Sequence, residues 1–158
     1  MRIGLISDTH DNVENIIKAV KKFSELSVDF VIHLGDVVAP ATLKYFKGLK
    51  MKLVLGNCDC DKAKFESLCG EYGFDYLGAF SELEVDGKKI YLMHHDPDRF
   101  AKEKIGHYDY IFHGHTHRKR DEVVKGTRIV NPGAHYYHTE GTVAVVDVPS
   151  GSVEFFEV

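Results

Sequence analysis

Short apolar segments that end in polar side chains are the feature that most constrains the fold of this chain. Arg2–Ile6 and residues 30–34 and 52–55 are predicted strands, and each is followed by carboxylate, imidazole or amide groups, namely Asp8 and His10, Asp36, and Asn57. In α/β sheets, binding groups collect outside the carboxyl ends of the strands. The polar tips are therefore expected to meet, and the rest of the chain is interpreted as the scaffold that brings them together.

The stretch 112–117, Phe-His-Gly-His-Thr-His, places three imidazoles at alternate positions, with a glycine that lets the backbone bend. Imidazole binds a metal only when it is neutral, and an unperturbed pKa of about 6.5 leaves most of it neutral near pH 7. This stretch is therefore interpreted as part of a metal site. His94, at the end of the predicted strand 89–93, is a further candidate ligand.

The predicted helices lie mostly before residue 80, and the part of the chain after it is predicted to consist mostly of strands. Residues 13–23 and 62–72 show apolar side chains at helical spacing, and residues 41–47 and 98–105 are also predicted to be helical. From residue 80 onward, predicted strands joined by tight turns cover residues 82–85, 89–93, 108–112, 122–124, 127–130, 142–148 and 152–158. This mixture predicts an α/β fold with two packed mixed β-sheets flanked by helices, an α/β/β/α sandwich.

Size and charge exclude several classes of protein. A chain of 158 residues with 44% hydrophobic side chains suits one domain, residues 1–158. The net charge of −4, with scattered Lys and Arg, argues against extended nucleic-acid binding, although a nucleic-acid end could still enter a pocket. No apolar run reaches the length of a membrane span and no signal-peptide pattern is present, so a cytoplasmic protein is expected. Three cysteines argue against structural disulfides.

The candidate ligands are too many for one tetrahedral ion, and their number suits two ions that share a carboxylate. Mixed imidazole and carboxylate groups favour Mn, Fe, Co, Ni or Zn over Mg or Ca, with Mn or Ni preferred here. The proposed ligands are Asp8, His10, Asp36, Asn57, His94, His115 and His117.

The order and context of these motifs resemble the calcineurin-like metallophosphoesterases. Asp8-x-His10, Gly35-Asp36, Gly56-Asn57, His94 and Gly114-His115-x-His117 carry the resemblance over nearly the whole chain. The sequence Gly-Asn-Cys-Asp at 56–59 is similar to the small YfcE-type phosphodiesterase branch, to which the phosphoesterase-like subunit of retromer also belongs.

The resemblance implies roles for individual residues. Asp8, His10 and His117 would hold one metal ion, Asn57, His94 and His115 would hold the second, and Asp36 would bridge them; Asp36, Asn57 and His94 are the predicted catalytic residues. Two divalent ions against two carboxylates leave a positive site for a phosphate. A metal pair can also hold a bridging hydroxide as the nucleophile. The implied activity is hydrolysis of a small phosphodiester.

Three positions depart from the pattern of relatives. Cys58 stands where many larger relatives have a His that helps to protonate the leaving group, which puts proton delivery to a poor leaving group in question. His95 stands where close relatives usually have glycine, and Ala134 where relatives often have Ser. Both of these changes are expected to reshape the pocket.

Simpler interpretations apply to several other polar residues. Taken alone, His33, His107 and His138 are predicted to be packed or solvated, and His33 and His113, near ligand tips, to orient the loops. For His95 and His135 the sequence leaves open whether they face the pocket. Cys58-x-Cys60 lacks the second ligand pair of a zinc site. Residues 118–120, Arg-Lys-Arg, are predicted to form a solvated turn balanced by Asp121 and Glu122.

Two classes of function follow from these observations. The first is a two-metal phosphodiesterase that needs no membrane partner. The second is a retromer-like scaffold for protein partners with vestigial hydrolase activity. The intact ligand set favours the enzyme, because a scaffold has no physical need for it. The natural substrate, the metal used and the oligomeric state stay open, and a homo-oligomer is compatible with the sequence.

Overall fold

The computed structural model describes residues 1–136 and 140–158, and His138 lies outside this part of the chain. Its helices are α1 (Val13–Glu25), α2 (Lys62–Tyr72) and α3 (Pro97–Phe100), and 3₁₀-helices span Pro40–Phe46 and Lys102–Lys104. Its strands are β1 (Arg2–Ile6), β2 (Phe30–His33), β3 (Met51–Leu53), β4 (Asp75–Tyr76), β5 (Phe80–Val85), β6 (Lys88–Met93), β7 (Tyr110–Phe112), β8 (Lys119–Val124), β9 (Thr127–Pro132), β10 (Thr142–Asp147) and β11 (Ser152–Glu157).

The strands form two mixed sheets. The first sheet has the order β11-β10-β1-β2-β3-β4, in which β1 to β4 are parallel and β10 runs antiparallel to β1. The second has the order β5-β6-β7-β9-β8, with β6, β7 and β9 parallel at its centre. The parallel strands point their carboxyl ends the same way within each sheet.

Three apolar cores hold the helices and sheets together as an α/β/β/α sandwich, one between the two sheets and one on the outer face of each sheet. Alternation along β1 sends Ile3 and Leu5 into the core between the sheets, where they join Phe112 of the second sheet. Ile6 faces the other way, into the core under α1 and α2. A third core lies outside the second sheet, where Ala101 and Ile105 pack against the sheet. Two mixed sheets flanked by helices confirm the predicted fold class.

Two local predictions were wrong in detail, and one short strand was not predicted. The segment predicted as a helix over residues 41–47 is a 3₁₀-helix, and the one over residues 98–105 is divided at Ala101, whose φ is −149°. Intrinsic propensity favours a continuous helix at an alanine, but this one is buried in the third core. The two-residue strand β4 was not predicted, because so short an edge strand has no periodic signal.

The predicted solvated turn at residues 118–120 was wrong in part, although Arg118 and Lys119 are exposed and Glu122 does balance Arg120. Lys119 and Arg120 lie in β8, and the Arg120 guanidinium forms ion pairs with Asp96, Asp98 and Glu122. The neighbouring Asp121 pairs with Arg128 on β9 instead. Successive side chains of a strand point to opposite faces, so Arg120 and Asp121 find different partners.

Within residues 1–136 and 140–158, no helix is long and apolar enough to cross a membrane.

Candidate metal centre

The predicted ligand tips converge at the carboxyl ends of strands from both sheets. Asp8 and His10 follow β1, Asp36 follows β2, and Asn57 lies beyond β3. From the second sheet, His94 follows β6, and His115 and His117 follow β7. Asp8, Asp36 and His94 are buried, whereas Asn57, His115 and His117 are exposed, so the cluster has a buried floor and an open rim.

Asp8, His10 and His117 form the first group of candidate ligands. Asp8 Oδ1 lies 3.2 Å from His117 Nε2 and 4.0 Å from His10 Nε2. Asp8 Oδ2 accepts hydrogen bonds from the Ser7 hydroxyl at 2.6 Å and from the His115 backbone N–H at 3.0 Å. These bonds hold the carboxylate so that Oδ1 faces the two imidazoles.

Asp36, Asn57, His94 and His115 form the second group. Asn57 Oδ1 lies 3.1 Å from His94 Nε2 and 3.0 Å from His115 Nδ1, and the two imidazole nitrogens are 3.2 Å apart. His94 Nδ1 donates to the Leu34 carbonyl at 2.8 Å. That bond fixes the tautomer of a neutral ring, so the lone pair of Nε2 points at the other ligands.

Asp36 lies between the two groups. Its Oδ2 is 3.6 Å from His10 Nε2 in the first group and 3.4 Å from His94 Nε2 in the second. Its Oδ1 accepts the Cys58 backbone N–H at 2.9 Å. One carboxylate oxygen thus faces imidazoles of both groups.

The donor atoms fit divalent cations. Nitrogen and oxygen ligands lie about 2.0–2.2 Å from zinc-like ions, which places ligands of one ion about 3–4 Å apart. Asp8 with His10 and His117, and Asp36 with His94 and His115, each bring their ligand atoms within 4.8 Å of one another. Asp8 Oδ1 and His10 Nε2 are buried without a hydrogen-bond partner among the described residues. Buried polar atoms without partners are costly, and a cation would satisfy both.

Sequence comparison agrees with this geometry, since residues 1–151 match the calcineurin-like phosphoesterase superfamily domain. The chain belongs to this family. The phosphodiesterase MJ0936 of Methanocaldococcus jannaschii is 32% identical over 154 residues, which cover 93% of each chain. A solved archaeal phosphodiesterase shares 28% identity over 100% of both chains with a TM-score of 0.90.

Solved structures of lower sequence identity share the fold. The Escherichia coli phosphoesterase YfcE superposes with a TM-score of 0.75 at 16% identity, over 100% of this chain and 98% of its own. A Vps29 variant from Entamoeba histolytica superposes with a TM-score of 0.66 at 17% identity, again over 100% and 98%.

Five of the seven proposed ligands have left-handed backbone. The φ angles are 53° at Asp8, 42° at His10, 59° at Asp36, 67° at His115 and 57° at His117. Non-glycine residues seldom adopt positive φ, and such residues cluster at functional sites, where the surrounding structure holds them. The strand tips are therefore held in unfavourable conformations that aim their side chains at one point.

Asp59 is a positioning residue that the sequence analysis did not assign. It is buried, and its carboxylate accepts the backbone N–H groups of Asp36 at 2.8 Å, Gly56 at 2.7 Å and Val38 at 2.8 Å. It thereby joins the loops that carry Asp36 and Asn57. It stands last in the Gly-Asn-Cys-Asp segment, but nothing in that segment reveals that the carboxylate turns inward.

Two glycines allow the loops to approach each other closely. A Cβ at Gly56 would overlap the Asp36 carboxylate, and a Cβ at Gly114 would overlap the Ser7 hydroxyl. The glycine in each ligand motif is thus explained by the neighbouring loop that packs against it.

The electrostatics of the centre favour an ionised Asp36. Burial alone would raise the pKa of Asp36, but the bonded imidazole of His94 and the N–H of Cys58 lower it well below its usual range. Burial likewise opposes the charge on His94, whereas Asp36 raises the pKa of that imidazole. Burial and the nearby Asp36 carboxylate raise the pKa of the Cys58 thiol to about 11, so this thiol is a weak proton donor.

The histidines outside the proposed ligand set differ in burial and in the groups that they contact. His33 and His113 are buried, and His107 is exposed, as predicted. His33 accepts the Gly35 N–H at 3.2 Å and donates to the Thr9 hydroxyl at 3.0 Å, so it connects two ligand loops. His135 is fully buried, and its backbone N–H donates to the Asp8 carbonyl. His95 instead lines a cleft beside His94.

Acid should weaken the folded state through His33. Burial lowers the pKa of His33 to about 3, whereas in the unfolded chain it is about 6.5. Between these values only the unfolded chain binds the proton, so stability falls as the pH falls below about 6.5. We expect metal-free wild type to lose about 2 kcal/mol more than His33→Gln between pH 7 and pH 5 in urea unfolding.

His107→Gln is the control for this measurement, since His107 is exposed. It should keep the wild-type pH dependence. If His33→Gln also kept it, His33 would have to be protonated in the folded protein.

Proposed function

We propose that this chain is a phosphodiesterase that uses two divalent transition-metal ions, Mn or Ni foremost, with Zn, Fe or Co as alternatives. The observation that carries the proposal is the position of Asp36, whose Oδ2 faces imidazoles of both ligand groups. Asp8, His10 and His117 would hold one ion, Asn57, His94 and His115 the other, and Asp36 would bridge them. Membership of the phosphoesterase family supports the proposal.

Two metal ions bound in this centre would supply Lewis acidity and activate a hydroxide nucleophile. The chain supplies two carboxylates, Asp8 and Asp36, beside its imidazole and amide ligands, so two divalent ions would leave a net positive charge for the phosphoryl group. The exposed rim of Asn57, His115 and His117 leaves room for a small diester.

Metal analysis together with a panel of phosphodiesters and monoesters, on one preparation, tests the proposal. Hydrolysis of diesters that depends on about two metal equivalents would support it. Failure to hydrolyse any ester after metal loading would favour the alternative, a scaffold for protein partners. The left-handed backbone at five ligand positions weighs against the scaffold, since a docking surface does not require such strain.

The identity of the ligands predicts which metals restore activity. Four imidazoles against two carboxylates suit transition metals, whereas Ca prefers oxygen ligands alone. After chelation and dialysis, we expect Mn or Ni to restore turnover and Ca to restore little of it. Equal recovery with Ca would argue against His94, His115 and His117 as ligands.

Proton delivery to the leaving group should be weak in this enzyme. Position 58 carries a thiol rather than an imidazole, and an unperturbed thiol is a weaker acid than an imidazolium, so aryl diesters should be cut well and alkyl esters slowly. A well-placed general acid contributes about 10²–10⁴-fold where the leaving group needs a proton. Cys58→His should therefore accelerate poor leaving groups far more than aryl esters.

A leaving-group series for wild type and Cys58→His measures this effect. Cys60→His is the matched control, because Cys60 is exposed and outside the candidate ligand groups of the described residues. A shallow dependence in wild type that Cys58→His leaves unchanged would mean that another group already delivers the proton.

A further inference from the structure

A cleft of about 300 Å³ opens directly beside the metal centre. We call it the aromatic cleft and define it by Phe80, Tyr91, His95 and Phe100, with the proposed ligand His94 also in its lining. It is thus next to the proposed ligand His94, on the side of the centre that carries His95.

The walls of the aromatic cleft are rings that continue outward from the ligands. The His95 ring lies 4.8 Å from the His115 ring and 5.0 Å from the Phe100 ring, centroid to centroid. Two other rings in the lining, Phe80 and Tyr91, stack with centroids 6.3 Å apart and an interplanar angle of 21°. A flat group that extends from the phosphorus past His95 would meet ring surfaces on its way out.

Two of these rings are unusually accessible. Phe80 is 64% exposed and Phe100 is 56% exposed, although phenylalanine is among the residues most often buried inside a protein. Scattered single exposed residues need no explanation, but these two line the same cleft. Their position beside a proposed catalytic centre favours a ligand as the group that covers them.

The cleft has a firm support on one side. The segment after β6 carries His94 and His95 and then α3, whose last residue is Phe100. Asp96 caps α3 by accepting the Asp98 N–H, and Arg120 on β8 pairs with both carboxylates. Phe100 is therefore presented from a short helix that is anchored at its start, so little conformational freedom is lost when a ring packs on it.

The charge in the cleft restricts the chemistry of its occupant. Among its described lining residues the charged side chain is Glu103, and Lys104 Nζ lies 5.2 Å from the centroid of the Tyr91 ring, so the two opposite charges offset each other and a neutral occupant fits. From these observations we infer that the aromatic cleft is a specificity subsite for a neutral, planar aromatic substituent of the phosphodiester, either an aryl ring or a nucleobase. This inference rests on the proposed function and specifies its substrate class.

Phosphonates that differ in one substituent test the subsite. Inhibition constants for phenylphosphonate and methylphosphonate are measured on metal-loaded protein, with calorimetric binding as a second readout. Stacking and burial of one ring predict that wild type prefers the phenyl compound by about 10-fold. Phe100→Ala should reduce this preference to about 2-fold, because it removes one wall of the cleft. Val123→Ala should leave it unchanged, since Val123 is 65% exposed on β8 away from the cleft.

A second pair, AMP and ribose 5-phosphate, separates the two sources of an aromatic group. Preference for AMP would identify a nucleobase, and preference within the phosphonate pair alone would identify a ring attached near the phosphorus. Equal affinity within both pairs in an active enzyme would overturn the subsite while the proposed function stands. Absence of diester hydrolysis and of all phosphonate binding would overturn the proposed function and the subsite together.

Discussion

Asp36→Asn is expected to remove most phosphodiesterase turnover and to weaken both metal ions together. A neutral amide is a poor bridge between two cations, and Asp36 Oδ2 is the oxygen that faces both ligand groups. The loss in metal affinity should exceed the roughly 10–100-fold that removal of an outer hydrogen-bond partner costs. Metal content after dialysis and the initial rate on an aryl diester are the two measurements.

Two further variants make this result specific. Asp11→Asn changes another carboxylate near the centre, one that accepts the Ala39 N–H and the Thr42 hydroxyl and belongs to neither ligand group. It should keep both ions. His117→Ala should weaken mainly the ion held with Asp8 and His10. Two equivalents of metal and wild-type turnover in Asp36→Asn would show that the ligand assignment is wrong.

Asp59→Ala should be the most destabilising of the substitutions considered. It leaves the N–H groups of Asp36, Val38 and Gly56 without their acceptor, where Asp36 is buried and Val38 and Gly56 are half-buried. Each buried donor without a partner costs about 1–3 kcal/mol, so a loss of roughly 3 kcal/mol or more is expected. For a chain of this size the melting temperature should fall by roughly 6–12 °C. Turnover should fall as well, because Asp36 loses its positioning.

Asp61→Ala is the matched control for this prediction. Its carboxylate accepts the Lys64 N–H at the start of α2 from an exposed position. Loss of such a helix cap typically costs about 1 kcal/mol and should leave turnover intact. Thermal unfolding and turnover of the two variants are compared. If Asp59→Ala melted no lower than Asp61→Ala, Asp59 would not organise the two ligand loops.

Much of the fold could be predicted because its signals are local. The spacing of apolar residues predicted α2 over the residues that form it, and the Asp86-Gly87 turn predicted the hairpin of β5 and β6. The candidate ligands could be recognised for the same reason, since each strand tip carries a side chain whose chemistry is visible in the sequence. Their order along the chain then identified the family.

The tertiary structure decided what those groups contact. Asp59 turns inward because backbone N–H groups of two loops converge on it, and Arg120 leaves solvent because Asp96 and Asp98 lie opposite it. The aromatic cleft likewise exists because the register of β5 and β6 sets Phe80 opposite Met93, directly before His94. The amino-acid sequence by itself determined which groups stand at the strand ends. Which of them meet, and in what orientation, depends on contacts between residues far apart in the chain, and local patterns do not encode those contacts.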